Sequence, residues 1–293
     1  ALQSDAHDVE VLLAGPVERA LRMAAGDTPI RILEEDGLPE EEPDLVIVAD
    51  TGAWSQLAPI EPWLRQFQER VVGLDHHANG DSVASDRIVD TSAAACVQLV
   101  LALLDEMGAD IGCGIGSAAE SLFVGLATDT GWFRFSNADA RCFATASRLL
   151  EHEVDRYSIY RTIEESASAA RMGLLERMLA SLTWIADGRV AVMTLRLSDF
   201  AETGGTSTDV TGLVNTPMVV DGVQAAILLT EQEDGSTKAS LRSKPALPGA
   251  QDTLIDVNQV AGKIGGGGHV HAAGALVQEP LDEVVSRLPG LIG

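Results

Sequence analysis

Lysine is nearly absent from this chain: Lys238, Lys244 and Lys263 are the only three in 293 residues, all in the C-terminal third. With 44 acidic side chains against 20 Lys and Arg, the formal net charge is −24. That balance excludes a broad electrostatic grip on long duplex nucleic acid, where affinity rests on many cation–phosphate contacts. Aromatic residues are sparse too, at 4%. No apolar run reaches the roughly 18–20 residues that a membrane-spanning helix needs. The longest, Ala93 to Leu104, stops at Asp105 and reads as a core helix. Cysteine is limited to Cys96, Cys113 and Cys142, an odd number with no C-x-x-C pair. These read as buried free thiols in a reducing compartment. A chain of this length, 46% hydrophobic and 22% charged, still has the material for two domains with substantial cores.

What is present is patterned. Val9 to Leu13, Ile30 to Leu33 and the apolar runs ending at Asp50 and Asp75 read as strands. Pro62 to Arg70, Ala93 to Leu104, Ala118 to Ala127 and Ala138 to Leu150 read as helices by length and apolar spacing. The alternation predicts an α/β fold whose N-terminal domain, residues 1–154, is a parallel sheet covered on both faces. Residues 155–187, rich in Ala, Arg and Glu, read as a helical connector. Residues 188–293 then form a smaller α/β domain. In it Val190 to Thr194 is a strand, and Val223 to Thr230 with Thr237 to Ser243 forms a hairpin about Asp234-Gly235. A short helix, Leu254 to Val260, leads into a glycine run, and Leu281 to Leu288 closes the chain.

The residues able to do chemistry stand at the ends of these elements. Asp75-His76-His77 follows Val71-Val72-Gly73-Leu74, a carboxylate and two imidazoles where a buried strand ends. Open α/β sheets bind their ligands at such carboxyl ends. A second apolar run delivers Asp50, and a third stretch delivers Asp129 within Thr128-Asp129-Thr130-Gly131. Brought to one edge, Asp50, Asp75, His76, His77 and Asp129 make a mixed oxygen and nitrogen set suited to Mn²⁺ or a similar divalent ion. Trp132-Phe133-Arg134-Phe135 gathers three aromatics about an arginine, a combination that either stacks a base and holds a phosphate or simply packs in the core. Gly265-Gly266-Gly267-Gly268-His269 is a glycine run whose backbone N–H groups can approach an anion closely, with His269 placed to donate. His271 reads equally as a site residue or a surface one. The few lysines cluster near Arg242, consistent with local handling of a small phosphorylated ligand or with chance.

In this order, Val-Ala-Asp-Thr-Gly to Gly52, the Asp-His-His triplet, Thr-Asp-Thr-Gly-Trp-Phe-Arg-Phe to Phe135, Leu-Arg-Ser-Lys to Lys244 and Gly-Gly-Gly-His to His269 resemble the DHH phosphoesterase superfamily. The branch is the one with the DHH-associated C-terminal domain, and the nanoRNase/3′-phosphoadenosine-5′-phosphate phosphatase group within it. The resemblance implies a DHH catalytic domain over 1–154, a DHH-associated substrate-binding domain over 188–293 and an active site in the cleft between them. It implies that Asp50 bridges two Mn²⁺ ions while His76 and Asp129 complete one, that Asp75 orients His76, and that His77 faces the scissile phosphate. Arg242, His269 and the backbone of Gly266, Gly267 and Gly268 are then expected to hold substrate phosphate, with Arg134 and Phe133 also on the substrate.

The family's first motif, a His with two Asp after the first strand, has no match here. His7, Asp5 and Asp8 do not fit it, because His-Asp-Val-Glu-Val-Leu-Leu reads as entry to the next strand. The expectation is therefore an N-terminally truncated, impaired piece that holds at most one ion. The implied activity is cytoplasmic, Mn²⁺-dependent hydrolysis of short oligonucleotides to nucleoside monophosphates, or of 3′-phosphoadenosine 5′-phosphate to AMP. A non-catalytic nucleotide-binding protein and a phosphodiesterase acting on cyclic-dinucleotide products are the alternatives. Expected partners are short oligonucleotides or phosphorylated nucleotides, with neither long duplexes nor membranes, and a homodimer is left open.

Overall fold

A computed structural model describes residues 7–14, 17, 19–26, 28–77, 80–245 and 255–292. It divides into two compact units, Ala1–Ser166 and Ala167–Gly293. The first begins with β1 (Val11–Leu13), α1 (Arg19–Ala25), β2 (Ile30–Ile32), α2 (Leu33–Asp36), β3 (Val46–Ala49), α3 (Trp54–Leu57) and α4 (Glu61–Leu64). It continues with β4 (Val71–Asp75), β5 (Asp86–Val89), α5 (Val97–Glu106), α6 (Ala118–Asp129), α7 (Ala140–Leu150) and α8 (Arg156–Ile163). The second unit holds α9 (Ala169–Ala180), β6 (Thr183–Ile185), β7 (Val190–Leu195), α10 (Leu197–Thr203), β8 (Ala225–Glu231) and β9 (Thr237–Ser243). After these come α11 (Val257–Gly262), β10 (Gly267–His269), β11 (Ala272–Val277) and α12 (Leu281–Ile292).

The N-terminal strands are parallel but form two sheets, β1–β2 and β3–β4–β5, where the sequence led us to expect one. Cover on both faces is also corrected. Val48, Val71 and Leu64 pack one side of the three-stranded sheet, while Ile47 and Ile88 remain 43% and 52% exposed. The edge strand β5 escaped sequence reading because Asp-Arg-Ile-Val is half charged. Pro62 to Arg70 is not one helix: α4 passes into a 3-10 stretch, Arg65–Arg70, that breaks at Phe67. The helices behind the sheets start where a side chain takes up a free backbone amide. Ser117 caps α6 by accepting from Glu120 N, and Asp139 caps α7 by accepting from Cys142 N. Their apolar faces meet in a core of Leu122, Phe123, Leu126, Cys142, Leu149 and Ile159. Cys96 and Cys142 are buried, as expected, but Cys113 is exposed.

The stretch 155–187 divides between the units: α8 packs its Ile159 into the first core, whereas Leu174 and Met178 of α9 pack on β7 and β8 of the second. The second unit's sheet runs β10-β11-β9-β8-β7-β6 and is antiparallel except for β7–β8. The expected hairpin is present as β8–β9. The end of the glycine run is edge strand β10, paired with β11 in the register Gly267↔Gly274, Gly268↔Ala273, His269↔Ala272. Of the expected helix Leu254 to Val260, Leu254 lies outside the described residues and the rest is α11, capped by Asp256. Neither α10 nor the 3-10 turns through residues 207–219 were legible in the sequence.

One face of this sheet is fully covered: Ile227, Leu229, Leu241 and Ala273 pack beneath Val260, Val284 and Leu288 of α11 and α12. On the other face α9 and the 213–219 segment cover Ala191, Met193 and Leu195 of β7 and Ala226 and Leu228 of β8. Among the described residues no α-helix of this unit lies over that face from β9 outward, although the 213–219 segment reaches β9.

Candidate functional site

β3 and β4 end side by side, and their register sets Ala49 beside Leu74, so Asp50 and Asp75-His76-His77 leave the sheet together. Asp50 turns out through a left-handed backbone, φ 65°, pinned by its own N–H donating to the Leu74 carbonyl at 2.8 Å. Aspartate is among the few residues that tolerate this conformation. Asp129 arrives as the last residue of α6. A carboxylate at a helix C-terminus opposes the helix dipole, so its position there costs stability that an adjacent cation offsets.

The three meet at His76. Its Nε2 lies 3.3 Å from Asp50 Oδ1 and 3.4 Å from Asp129 Oδ2. Its Nδ1 is 3.1 Å from the carbonyl oxygen of Ala93 and donates to it. With that proton committed, Nε2 carries a lone pair and faces two carboxylates. Both separations exceed the 2.7–2.9 Å or so of a charge-assisted hydrogen bond. Neighbouring ligands on one ion with bonds of about 2.1 Å lie roughly 3.0–3.4 Å apart, so each carboxylate oxygen is spaced from His76 Nε2 as a fellow ligand would be. The electrostatics agree. Partial burial raises the Asp129 carboxyl above its ordinary range, reinforced by Asp50. Burial raises Asp50 as well, against the lowering pull of His76 and His77. Among the described residues, the set whose ligand atoms all lie within 4.8 Å of one another is Asp50, His76 and His77, which does not include Asp129.

Asp75 corrects one expectation. Its Oδ1 accepts from the backbone N–H of His76 at 2.8 Å, the N–H of His77 at 3.1 Å and His77 Nδ1 at 2.7 Å. It therefore orients the His77 ring, and Ala93 takes the part expected of it behind His76. Burial pulls the Asp75 carboxyl upward, but the hydrogen bonds from His77 and His76 outweigh it and hold it below the ordinary range. Asp75 is 1% exposed, and its Oδ2 has no hydrogen-bond partner among the described residues. Sequence reading missed the loop that sets His76. Asn137 Nδ2 donates to the Ala94 carbonyl, and Ala94 N donates to Gln98 Oε1, fixing the chain that presents Ala93 O. An alanine run carries no side-chain signal for that role. Cys96, donating to Leu74 O at 3.2 Å, sits behind the site, and burial pushes its thiol up to about 11.

The aromatic cluster after Asp129 is structural in the main. Phe133, expected on the substrate, is instead turned into the helical core against Phe123 and Phe143, with ring centroids 6.1 and 5.4 Å away. Trp132 donates to Glu164 and meets Tyr160 edge-on. Arg134 is exposed and donates through Nε to Gly131 O, and the solvent-facing aromatic is Phe135, 56% exposed.

In the second unit, His269, Ala272 and Arg242 lie opposite one another on β10, β11 and β9. Directly paired residues share a face, so His269 and Arg242 stand in one row on the bare side, two strand spacings or about 10 Å apart. Two of the glycines have packing reasons. A Cβ at Gly268, φ 151°, would come within 2.7 Å of Ala273 Cα, and one at Gly266 within 2.8 Å of Ala275 Cα. A Cβ at Gly267 would meet only Asn258 Oδ1, at 3.8 Å. His271 bonds to Ser243 Oγ at 3.1 Å, tying the β10–β11 turn to β9.

A DHHA1 domain model matches residues 187–292, the second unit's sheet and its two C-terminal helices. Together with the Asp-His-His site and the relatives below, this decides the family. The chain belongs to the DHH superfamily. It is 29% identical over 219 residues to the bifunctional oligoribonuclease and PAP phosphatase NrnA of Thermus thermophilus, a match covering 74% of this chain and 62% of that protein. To the protein of the same name from Bacillus subtilis it is 25% identical over 250 residues, covering 84% of this chain and 75% of the relative. An exopolyphosphatase-related protein from Bacteroides fragilis shares the fold at a TM-score of 0.88, with 23% identity, over 99% of this chain and 84% of that one. Among the described residues no helix is long and apolar enough to cross a membrane.

Proposed function

We propose that this DHH-superfamily chain is a Mn²⁺-dependent phosphoesterase acting in the cytoplasm. Its substrates are short oligoribonucleotides, cut to nucleoside monophosphates, and 3′-phosphoadenosine 5′-phosphate, cut to AMP. The observation carrying this reading is the convergence of Asp50 Oδ1 and Asp129 Oδ2 on His76 Nε2, at 3.3 and 3.4 Å. A divalent cation held there supplies Lewis acidity toward a phosphoryl oxygen. Ala93 holds His76 in the tautomer that ligation needs, as a carbonyl behind metal-bound imidazole does. His77, its Nδ1 tied to Asp75, faces the scissile phosphate and exchanges a proton at Nε2. Arg242 and His269, in one row on the second unit's sheet, hold substrate phosphate. The names of the Thermus and Bacillus relatives support this choice of substrates.

The test is an assay of the Mn²⁺-loaded protein on a 5′-phosphorylated diribonucleotide and on 3′-phosphoadenosine 5′-phosphate, with cation content measured in parallel. Asp50→Ala, His76→Ala and Asp129→Ala should each lose bound Mn²⁺ and keep less than about a tenth of the turnover. Full turnover by Asp50→Ala would show that the chemistry lies elsewhere. Tight nucleotide binding without turnover in the wild type would make it a nucleotide-binding protein.

A further inference from the structure

The bare half of the second unit's sheet is longer than the row of Arg242 and His269 needs. An open groove of about 720 Å³ runs along it from Arg242 past Ser240 to Lys238 on β9, with Gln232 beyond. Ala272 and Gly274 of β11 and Gly267 of β10 form its floor. Among the described residues no carboxylate lines this groove, in a chain whose acidic residues outnumber its Lys and Arg by 44 to 20. Lys238 is the telling residue. The chain's other two lysines spend their ammonium groups on backbone carbonyls, Lys244 on Val220 O at 3.0 Å and Lys263 on Leu291 O at 2.7 Å. Lys238 is exposed and has no hydrogen-bond or ion-pair partner among the described residues.

Arg242, Ser240 and Lys238 alternate along β9, so all three point to the same face. Four residues of antiparallel strand separate the two cations by about 13–14 Å. Side chains reduced to hydroxyl, methyl and hydrogen between them leave a flat floor on which an extended chain can lie close to the backbone.

We infer that Lys238, with Gln232 beside it, is a second phosphate subsite that engages the distal part of a single-stranded substrate longer than a dinucleotide. The occupant is a polyanion with repeated phosphates, because the groove pairs two unneutralised cations with a small, carboxylate-free floor. This rests on the nucleotide phosphoesterase reading, with Arg242 holding the near phosphate. Lys238 contributes to the grip on longer strands and is separate from the reacting centre. It sets a length preference. A substrate that ends at the near phosphate gains nothing from Lys238, and one that runs on along β9 gains one charge-assisted contact.

The test measures binding of 3′-phosphoadenosine 5′-phosphate and of a 5′-phosphorylated pentaribonucleotide to the full chain, in EDTA so that no hydrolysis occurs. Lys238→Gln should weaken the pentanucleotide about tenfold, within the range of one charge-assisted hydrogen bond, and leave the mononucleotide unchanged. The slope of log K against log salt for the pentanucleotide should become shallower by about 0.7, the value for one phosphate contact on a single strand. Lys238→Arg should restore both. Equal losses for the two ligands, or none for either, would overturn the subsite while leaving the phosphoesterase reading in place. Failure of the wild type to bind either ligand would overturn both.

Discussion

Asp75 shows how one side chain fixes the site. It sits at the end of a strand, 1% exposed, with a single oxygen taking three hydrogen bonds from the two histidines that follow it. Replacing it with alanine leaves two backbone N–H groups and the His77 ring without their acceptor. Each such buried loss costs about 1–3 kcal/mol. We expect Asp75→Ala to lower stability by about 2–4 kcal/mol at pH 7, read by urea unfolding. The pH dependence has a definite sign. Because the folded state holds this carboxyl below its ordinary value, its contribution is complete above the ordinary carboxylate range and is lost as pH falls through the lowered value. The gap between wild type and Asp75→Ala should therefore be widest near neutrality and close in strong acid. A gap that widens on acidification would mean that Asp75 is protonated in the folded protein. His77→Ala tests the other half of the pair. It should leave bound cation largely in place while slowing turnover, since the atoms meeting at His76 come from Asp50 and Asp129.

Elements were legible where a pattern spans many residues and illegible where a partner decides. β4, α6 and the β8–β9 hairpin follow from apolar spacing and turn residues, and with them came Asp50, His76 and Asp129. The strand β10 did not. Two glycines and a histidine have no strand propensity; they are extended because β11 pairs with them, and at Gly268 it leaves no room for a Cβ. Phe133 was misjudged for a related reason: a positive φ of 62° after α6 swings its ring inward, and the aromatic cluster alone does not disclose that. The Ala93 carbonyl is a backbone group, invisible to any reading of side chains. The glycine run gives a sharp test of element against ligand. Gly268→Ala and Gly266→Ala should each cost roughly 1–3 kcal/mol, through strain or collision with β11. Gly267→Ala, with open space at its Cβ, should change stability by under about 1 kcal/mol yet weaken nucleotide binding along the groove it floors. Thermal unfolding and binding measured on the same three variants separate the two effects. Equal destabilisation by all three would show that the run is held by something other than its contacts with β11.

At the scale of the whole chain, the two units have separate cores: the first holds Asp50, His76 and Asp129, the ligands of the proposed cation site, and the second the open sheet face with Arg242 and Lys238. The first unit bears a cost for its site. Asp50 and Asp129 have raised values in the folded state because burial disfavours their charge, so each destabilises the fold once ionised. Stability is therefore lost as pH rises through those raised values, and regained as it falls back toward the ordinary carboxylate range. A cation reverses the sign, since it binds the ionised pair and must displace the protons at lower pH. Mn²⁺ at a hundred times its dissociation constant should add about 2.7 kcal/mol, a rise of roughly 5–11 °C in Tm for a unit of this size. That gain should be larger at pH 8 than at pH 5.5. It should also be local: hydrogen exchange should slow at the amides of β3, β4 and α6 and stay unchanged in β7, β8 and β9. Asp129→Asn should remove most of the gain while raising the cation-free stability at pH 8, because it deletes a buried charge without deleting its volume. Protection that spreads equally through both units, or a Mn²⁺ effect that grows on acidification, would place the ion away from His76.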